Sequence, residues 1–323
     1  MKLRFTLAMA VAALFGCETH DLLRYKADFP KESIKACLTE NPDLSAEVCT
    51  LKPCLTDRFA LNAMFTMLKD VKAAFAASEL GDKWWLDAGT LLGAYRFNSI
   101  MPWDDDLDVG ILSVDFEPKA DDMRRNLEQR GYELVPSYGT FSASMTNNLG
   151  WWKVVFSQEK YKQVLLELRS KYNRSDFALS FNELDTILHT YLLNDKIPHL
   201  DIFLIDRQPN GMYNLHTEIW RERFPEGWNE DDIFPLNQNA PLFMGETFPW
   251  PNSVQSYLAG HYRANALQTD FVIQSTHNPI CATKVRFADI TKVPSLISYF
   301  KDYLRDVFPQ SPIHFADRLE FAQ

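Results

Sequence analysis

Between Trp103 and Ile111 the chain reads Trp-Asp-Asp-Asp-Leu-Asp-Val-Gly-Ile. Alternate side chains of a strand share a face. An extended conformation therefore sets Asp104, Asp106 and Asp108 on one side and Leu107, Val109 and Ile111 on the other, with Asp105 near the start. The aliphatic side and Trp103 argue for a half-buried strand over the alternative of a solvated acidic loop. Carboxylates two positions apart lie about 7 Å from each other and repel by about 2 kcal/mol per neighbouring pair at an effective dielectric of about 20. A fold keeps such a row when a cation compensates it. Hard divalent ions, Mg²⁺ or Mn²⁺, take oxygen ligands of this kind and leave positions open for substrate phosphates.

A second acid stands in apolar company farther along, in Ile197-Pro198-His199-Leu200-Asp201-Ile202-Phe203-Leu204-Ile205-Asp206. Alternation groups His199, Asp201 and Phe203 against Leu200, Ile202 and Leu204. A carboxylate in such a strand needs a compensating partner: the metal held by Asp106 and Asp108, or a salt bridge to an arginine. His199 is expected to be a hydrogen-bonded structural histidine rather than a phosphate contact.

These strands need elements to position them. Lys83–Asp87 reads as a short strand, turned by Ala88-Gly89-Thr90 into a helix beginning near Leu91. Gly89 lets backbone approach a ligand, Thr90 can cap the helix and offer its hydroxyl, and free amides at a helix start attract phosphate. Gly93 keeps that helix slim and Arg96 follows. Upstream, Leu61, Met64, Phe65, Leu68, Val71 and Phe75 recur at helical intervals in Asp57–Leu80, predicting a helix that packs on the strand at Lys83. Downstream, Glu117–Gly131 reads as an amphipathic helix with Met123 and Leu127 inward. Tyr132–Val135 and Trp151–Phe156 read as strands around a polar turn, with Lys153 expected to be solvated rather than on a phosphate. Val293–Phe308 reads as a last amphipathic helix.

The chain has 323 residues, 46% of them hydrophobic, enough for a sizeable core, and a net charge of −10 that speaks against a nucleic-acid backbone as partner. Lys2 and Arg4 precede an apolar run, Phe5–Gly16, that is shorter than the roughly 20 residues of a membrane span. A cleaved secretory signal over residues 1–17 is expected, with a lipid anchor on Cys17 or an uncleaved membrane anchor as the alternatives. Cys37, Cys49, Cys54 and Cys281 then form an even set that favours disulfides over free thiols. Asn173-Arg174-Ser175 is a glycosylation acceptor pattern in a secreted eukaryotic chain. No P-loop, nucleophile elbow or dinucleotide fingerprint is present in the sequence.

Trp84–Ile111 resembles the signature of the LicD/fukutin family, which includes fukutin-related protein: a strand, Gly-Thr-Leu-Leu-Gly-x-x-Arg, then Ile-Pro-Trp-Asp-x-Asp-x-Asp. The one departure is Met101 before Pro102, with Ile100 ahead of it. The resemblance implies an α/β (α+β) nucleotidyltransferase-like fold, a mixed β-sheet flanked by helices with N-terminal and C-terminal helical additions. The polar segment 18–56, which holds three cysteines, reads as a Cys-containing lead-in, and the resemblance implies a catalytic domain over 57–323 with its motif core at 83–262. By the same resemblance, Asp104, Asp106, Asp108 and Asp201 are metal ligands, with Asp106, Asp108 and Asp201 catalytic. Gly89, Thr90, Gly93 and Arg96 belong to the donor-side loop. Ile233-Phe234-Pro235-Leu236, Phe243-Met244-Gly245 and a helix with Leu258 and Tyr262 resemble the downstream block of a Pro-Leu strand, a turn and a helix. Arg263 stands where that block has glycine.

Such proteins move a phosphorylated alcohol, for example phosphocholine or ribitol phosphate, from a CDP-linked donor to a hydroxyl of a glycan, glycoprotein or glycolipid, with Mg²⁺ or Mn²⁺, and release CMP. The N-terminal segment sets the expected place in the secretory pathway or outside the cytoplasm, with membrane association through the N-terminus as the alternative. A D-x-D glycosyltransferase, a nucleotidyltransferase proper and a non-catalytic binding or helper protein of the same fold are the rivals.

Overall fold

The computed structural model describes residues 58–101, 104, 106–136, 151–160, 163, 198–217, 221–222, 227–262, 272–273 and 285–286, with 35 and 39. The leader, all five cysteines, Asn173, Trp103, Asp105 and the helix predicted at Val293–Phe308 lie outside these residues. The chain divides into two units, one of Thr56–Phe271 with Lys301–Gln323, the other of Met1–Leu55 with Val272–Phe300. In the latter, β7 (Val272–Ile273) and β8 (Val285–Arg286) form an antiparallel pair. Every acid described below belongs to the former.

Helix α1 spans Arg58–Ala77, and the predicted stripe of Leu61, Met64, Leu68, Val71 and Phe75 is completely buried. Met67 and Ala74 join it, while Phe65 is only half-buried. Strand β1 (Trp84–Leu86) is covered on both sides, so both of its tryptophans are core residues. Trp84 stacks on Phe75 of α1, ring centroids 5.0 Å apart. Trp85 points the other way, edge-on to Tyr257 of α6 (Val254–Tyr262) at 6.3 Å. The sheet thus lies between α1 on one face and α6 on the other, as expected for an α/β layer fold.

Helix α2 (Ala88–Phe97) starts three residues before the predicted position. Asp87, in extended conformation, accepts a hydrogen bond from the Ala88 amide at 2.7 Å, so the N-cap is Asp87 rather than Thr90. An aspartate at this position supplies the acceptor that the first amides of a helix lack. The helix ends at Asn98, whose φ of 53° is left-handed, and the chain folds straight back. A Cβ on Gly93 would lie 2.6 Å from the Ser99 carbonyl and 3.1 Å from the Met101 amide. Gly93→Ala is therefore expected to cost about 1–3 kcal/mol, read as a lower urea midpoint. An unchanged midpoint would show that the return of the chain is not sterically fixed there.

After β2 (Asp106–Leu112) comes a short helix, α3 (Ser113–Phe116), and the single helix predicted over Glu117–Gly131 is two pieces, a 3₁₀ turn at Glu117–Lys119 and α4 (Ala120–Glu128). Pro118 falls in the tight turn, where its missing amide is tolerated. Met123 and Leu127 are buried as predicted. Strands β3 (Tyr132–Pro136), β4 (Trp151–Phe156), β5 (His199–Arg207) and β6 (Tyr213–Leu215) complete a six-stranded sheet of order β1-β2-β5-β4-β3, with β6 on β5. Among the described strands only β2 and β5 run parallel, so the sheet is mixed.

The Pro-Leu segment departs from the strand that the resemblance implied. Asn229 and Asp232 form a reciprocal capping box that starts a short helix, α5 (Glu230–Ile233), and the cis Phe234–Pro235 bond follows. Phe234 is turned edge-on to Trp85 at 5.9 Å. The expected turn at Phe243-Met244-Gly245 is present as a hairpin closed by Phe243 and Glu246, with φ of 52° at Met244 and 87° at Gly245. Among the described residues no helix is long and apolar enough to cross a membrane.

Candidate metal and phosphate site

The parallel β2–β5 ladder pairs Asp106 with His199 and Asp108 with Asp201. Leu107, Val109, Ile111, Leu200 and Ile202 are completely buried and Leu204 nearly so, which fixes the register and turns the intervening acids to the opposite face. One ligand atom each from Asp106, His199 and Asp201 lies within 4.8 Å of the others. His199 Nε2 is 3.7 Å from Asp106 Oδ2 and 3.7 Å from Asp201 Oδ2. The histidine that sequence reasoning treated as structural is thus one of the three groups that converge. Its place beside Asp201 in a strand alternating with aliphatics was the available signal.

Asp108 faces the start of α2. Its Oδ2 accepts from the amides of Gly89 at 2.8 Å and Thr90 at 3.3 Å, and its own amide donates to Thr90 Oγ1 at 2.7 Å. Two amides expected to be open to phosphate therefore hold a carboxylate of the protein. A Cβ on Gly89 would lie 3.0 Å from Asp108 Oδ2 and 3.1 Å from Asp104 Oδ2, so this glycine leaves room for both acids. Gly93 faces the returning backbone instead. Arg96, in the last turn of α2, is buried, and burial brings its guanidinium down to about 10 against an opposing pull from Tyr262.

Behind this row sits an acid that the sequence reading had placed only on a strand face. Asp87 is completely buried and its Oδ1 accepts from the Tyr257 hydroxyl at 2.9 Å, with His261 Nε2 2.8 Å away. The Tyr257 hydroxyl in turn accepts from Trp85 Nε1 at 2.9 Å, and Trp228 Nε1 donates to the Tyr257 carbonyl at 2.9 Å. An aspartate directly before Ala-Gly-Thr at a strand-to-helix junction is a capping signal that could have found it.

The acids feel one another. Burial first, then the charges of Asp106, Asp201 and Asp87, push the Asp108 carboxyl well above its ordinary value, against the Thr90 hydrogen bond that lowers it. Tyr262, at the end of α6, is pushed up by burial and then by Asp108, Asp104, Asp87 and Asp106. The partner that Asp201 has is a lysine rather than the arginine weighed above. Lys153 Nζ stands 3.1 Å from Asp201 Oδ1, an ion pair off the hydrogen-bonding direction, and 3.4 Å from Oδ2. One ammonium does not balance this row of carboxylates. The donor set of Asp106, His199 and Asp201, two carboxylates and an imidazole nitrogen, could hold a divalent metal ion.

A mixed sheet between helices, with acids from two parallel strands gathered at the head of a helix, defines an α/β protein with a cation-competent acidic centre. Residues 81–166 match the family model described as LicD/FKTN/FKRP, nucleotidyltransferase domain, a family generally of transferases. The matched span holds Gly89, Thr90, Asp104, Asp106, Asp108 and Lys153 and stops short of His199 and Asp201. An uncharacterized protein of Rickettsia prowazekii (strain Madrid E) is 37% identical over 72 residues, 22% of this chain and 26% of the relative. An uncharacterized protein of Rickettsia typhi (strain ATCC VR-144 / Wilmington) is 34% identical over 80 residues, 25% of each. The chain thus spans about a quarter of the length of the curated relatives it matches.

Proposed function

We propose that this protein is a metal-dependent phosphotransferase that moves a phosphorylated alcohol from a CDP-linked donor to a glycan hydroxyl and releases CMP. The observation that carries the reading is the β2–β5 register, which sets Asp108 beside Asp201 and Asp106 beside His199 although the two strands are distant in sequence. Asp106, His199 and Asp201 would hold the divalent ion, with Asp104 and Asp108 adjoining. A bound Mg²⁺ or Mn²⁺ supplies charge neutralisation at the phosphoryl oxygens and the leaving oxygen. The acceptor oxygen bonds to the phosphorus that carries the alcohol, and the bond from that phosphorus to the bridging oxygen breaks. CMP departs with that electron pair, and a carboxylate of the cluster takes the hydroxyl proton. The Gly89-Thr90 turn orients Asp108 through its amides, and the buried Asp87 network holds that turn.

The N-terminal pattern of basic residues and a short apolar run supports a setting in the secretory pathway or outside the cytoplasm, where glycan acceptors occur. The test is a screen of CDP-choline, CDP-ribitol and CDP-glycerol with Mg²⁺ or Mn²⁺, scored by CMP release and by the mass added to a glycan acceptor. Addition of a phospho-alcohol supports the reading. Addition of a sugar or a nucleotide from the corresponding donors would replace it with one of the rival transferases, and metal-dependent nucleotide binding without turnover would favour a helper protein.

A further inference from the structure

We propose that Lys153, which reaches from β4 to Asp201 and His199 at the mouth of the candidate cation cluster, is a donor-phosphate ligand. The inference rests on the cation-site reading above and assigns a role that the sequence analysis did not give this residue.

The antiparallel β4–β5 ladder pairs Lys153 with Asp201, which sends both side chains to the same face. The ammonium reaches across the strand gap to within 3.1 Å of Asp201 Oδ1 and 2.6 Å of His199 Nε2. Its side chain is 25% exposed against 10% for Asp201, so the charge sits at the mouth of the cluster rather than beneath it.

The lysine and a cation would compete for the same groups. An ammonium has three donors and no acceptor, and a metal ion needs the lone pairs of its ligands. Asp201 and His199 are two of the three groups that converge for a cation, so Lys153 and a cation would draw on the same two side chains. With a divalent ion held by those groups, the Lys153 ammonium would turn to another anion within the reach of its stem. A phosphate joined to the cation is the anion that arrives with it. A compact, rotatable ammonium suits a tetrahedral phosphate as a point-charge contact. The ligand class is thus a nucleoside diphosphate or its ester, read through phosphate rather than through the base.

Two measurements that need no turnover test this on the full chain: Mn²⁺ titration followed by electron paramagnetic resonance, and calorimetric CDP binding at saturating Mn²⁺. Removing the competing ammonium in Lys153→Met is expected to tighten Mn²⁺ binding about tenfold and to weaken CDP binding about tenfold, the size of one charged hydrogen bond. Lys153→Arg should recover most of the CDP affinity. Unchanged or weaker Mn²⁺ binding by Lys153→Met, or unchanged CDP binding, would overturn the assignment, because a merely structural lysine does not move the two affinities in opposite directions. Asp201→Asn separates the two levels. If wild type binds Mn²⁺ and CDP and Asp201→Asn does not bind Mn²⁺, a null result with Lys153→Met removes the lysine alone. If wild type fails to bind Mn²⁺, the cation site and the lysine fall together.

Discussion

Asp108→Asn is expected to lower the proposed transfer by about a thousandfold or more and, in metal-free buffer near neutral pH, to make the protein more stable. The first effect follows from losing a charge in a site asked to supply several kcal/mol of transition-state stabilisation, each 1.4 kcal/mol being about tenfold in rate. The second follows from the direction of its pKa. Burial and the neighbouring acids raise the folded-state value of Asp108 well above the ordinary 3.8. From 3.8 up to that raised value the folded protein keeps a proton that the unfolded chain has released, so stability falls as pH rises through the window. Asparagine carries no such penalty and still presents an oxygen to the Gly89 and Thr90 amides that Asp108 engages. The stability gain of the variant should therefore be absent below about pH 3.8 and grow above it. A divalent ion at a hundred times its Kd adds about 2.7 kcal/mol to the protein that binds it, so Mn²⁺ should raise the Tm of wild type and much less that of the variant. A variant that keeps its turnover, or is less stable than wild type at pH 7 in chelator, would contradict the picture of an over-charged pocket awaiting a cation.

Asp87→Ala has the largest expected cost in stability, about 3–5 kcal/mol. The carboxylate is completely buried, caps α2 through the Ala88 amide and receives the Tyr257 hydroxyl, with His261 beside it. Truncation removes the cap and strands those polar groups among Trp85, Trp228 and Tyr257, where water does not replace the lost oxygen. Asp87→Asn, which keeps an acceptor in place, should lose much less. Urea unfolding of both variants measures the difference, and a cost below about 1 kcal/mol for Asp87→Ala would mean that the network is not what holds the head of α2.

The parts of the site that could be read from the chain were those governed by short periods. The alternation Asp106-Leu107-Asp108-Val109 and its counterpart around Asp201 determine which side chains share a face, and the stripe from Leu61 to Phe75 marks a helix. Both are local geometry, and the structure follows them. What the chain did not disclose was set by tertiary placement. That Lys153 meets Asp201 depends on β4 lying beside β5, which no residue near Lys153 states. The joining of His199 to Asp106 depends equally on strand order. The start of α2 was misplaced because Gly89 and Thr90 were weighed as a turn, whereas Asp87 before them is the stronger cap. The strand expected at Ile233–Leu236 gave way to a capping box formed just upstream, by Asn229 and Asp232.

The parallel pairing of β2 with β5 also orders events in time. Asp201 follows Asp108 by about ninety residues, so a chain emerging from the ribosome has exposed its first acids long before their partner strand exists. Closing so long a loop is entropically slow. A divalent ion therefore finds its full ligand set only once that closure is complete. Its grip is expected to appear as slower unfolding rather than faster refolding, the signature of a contact made after the transition state. The cation would then serve as a latch on a long-range contact as well as an instrument of the proposed reaction.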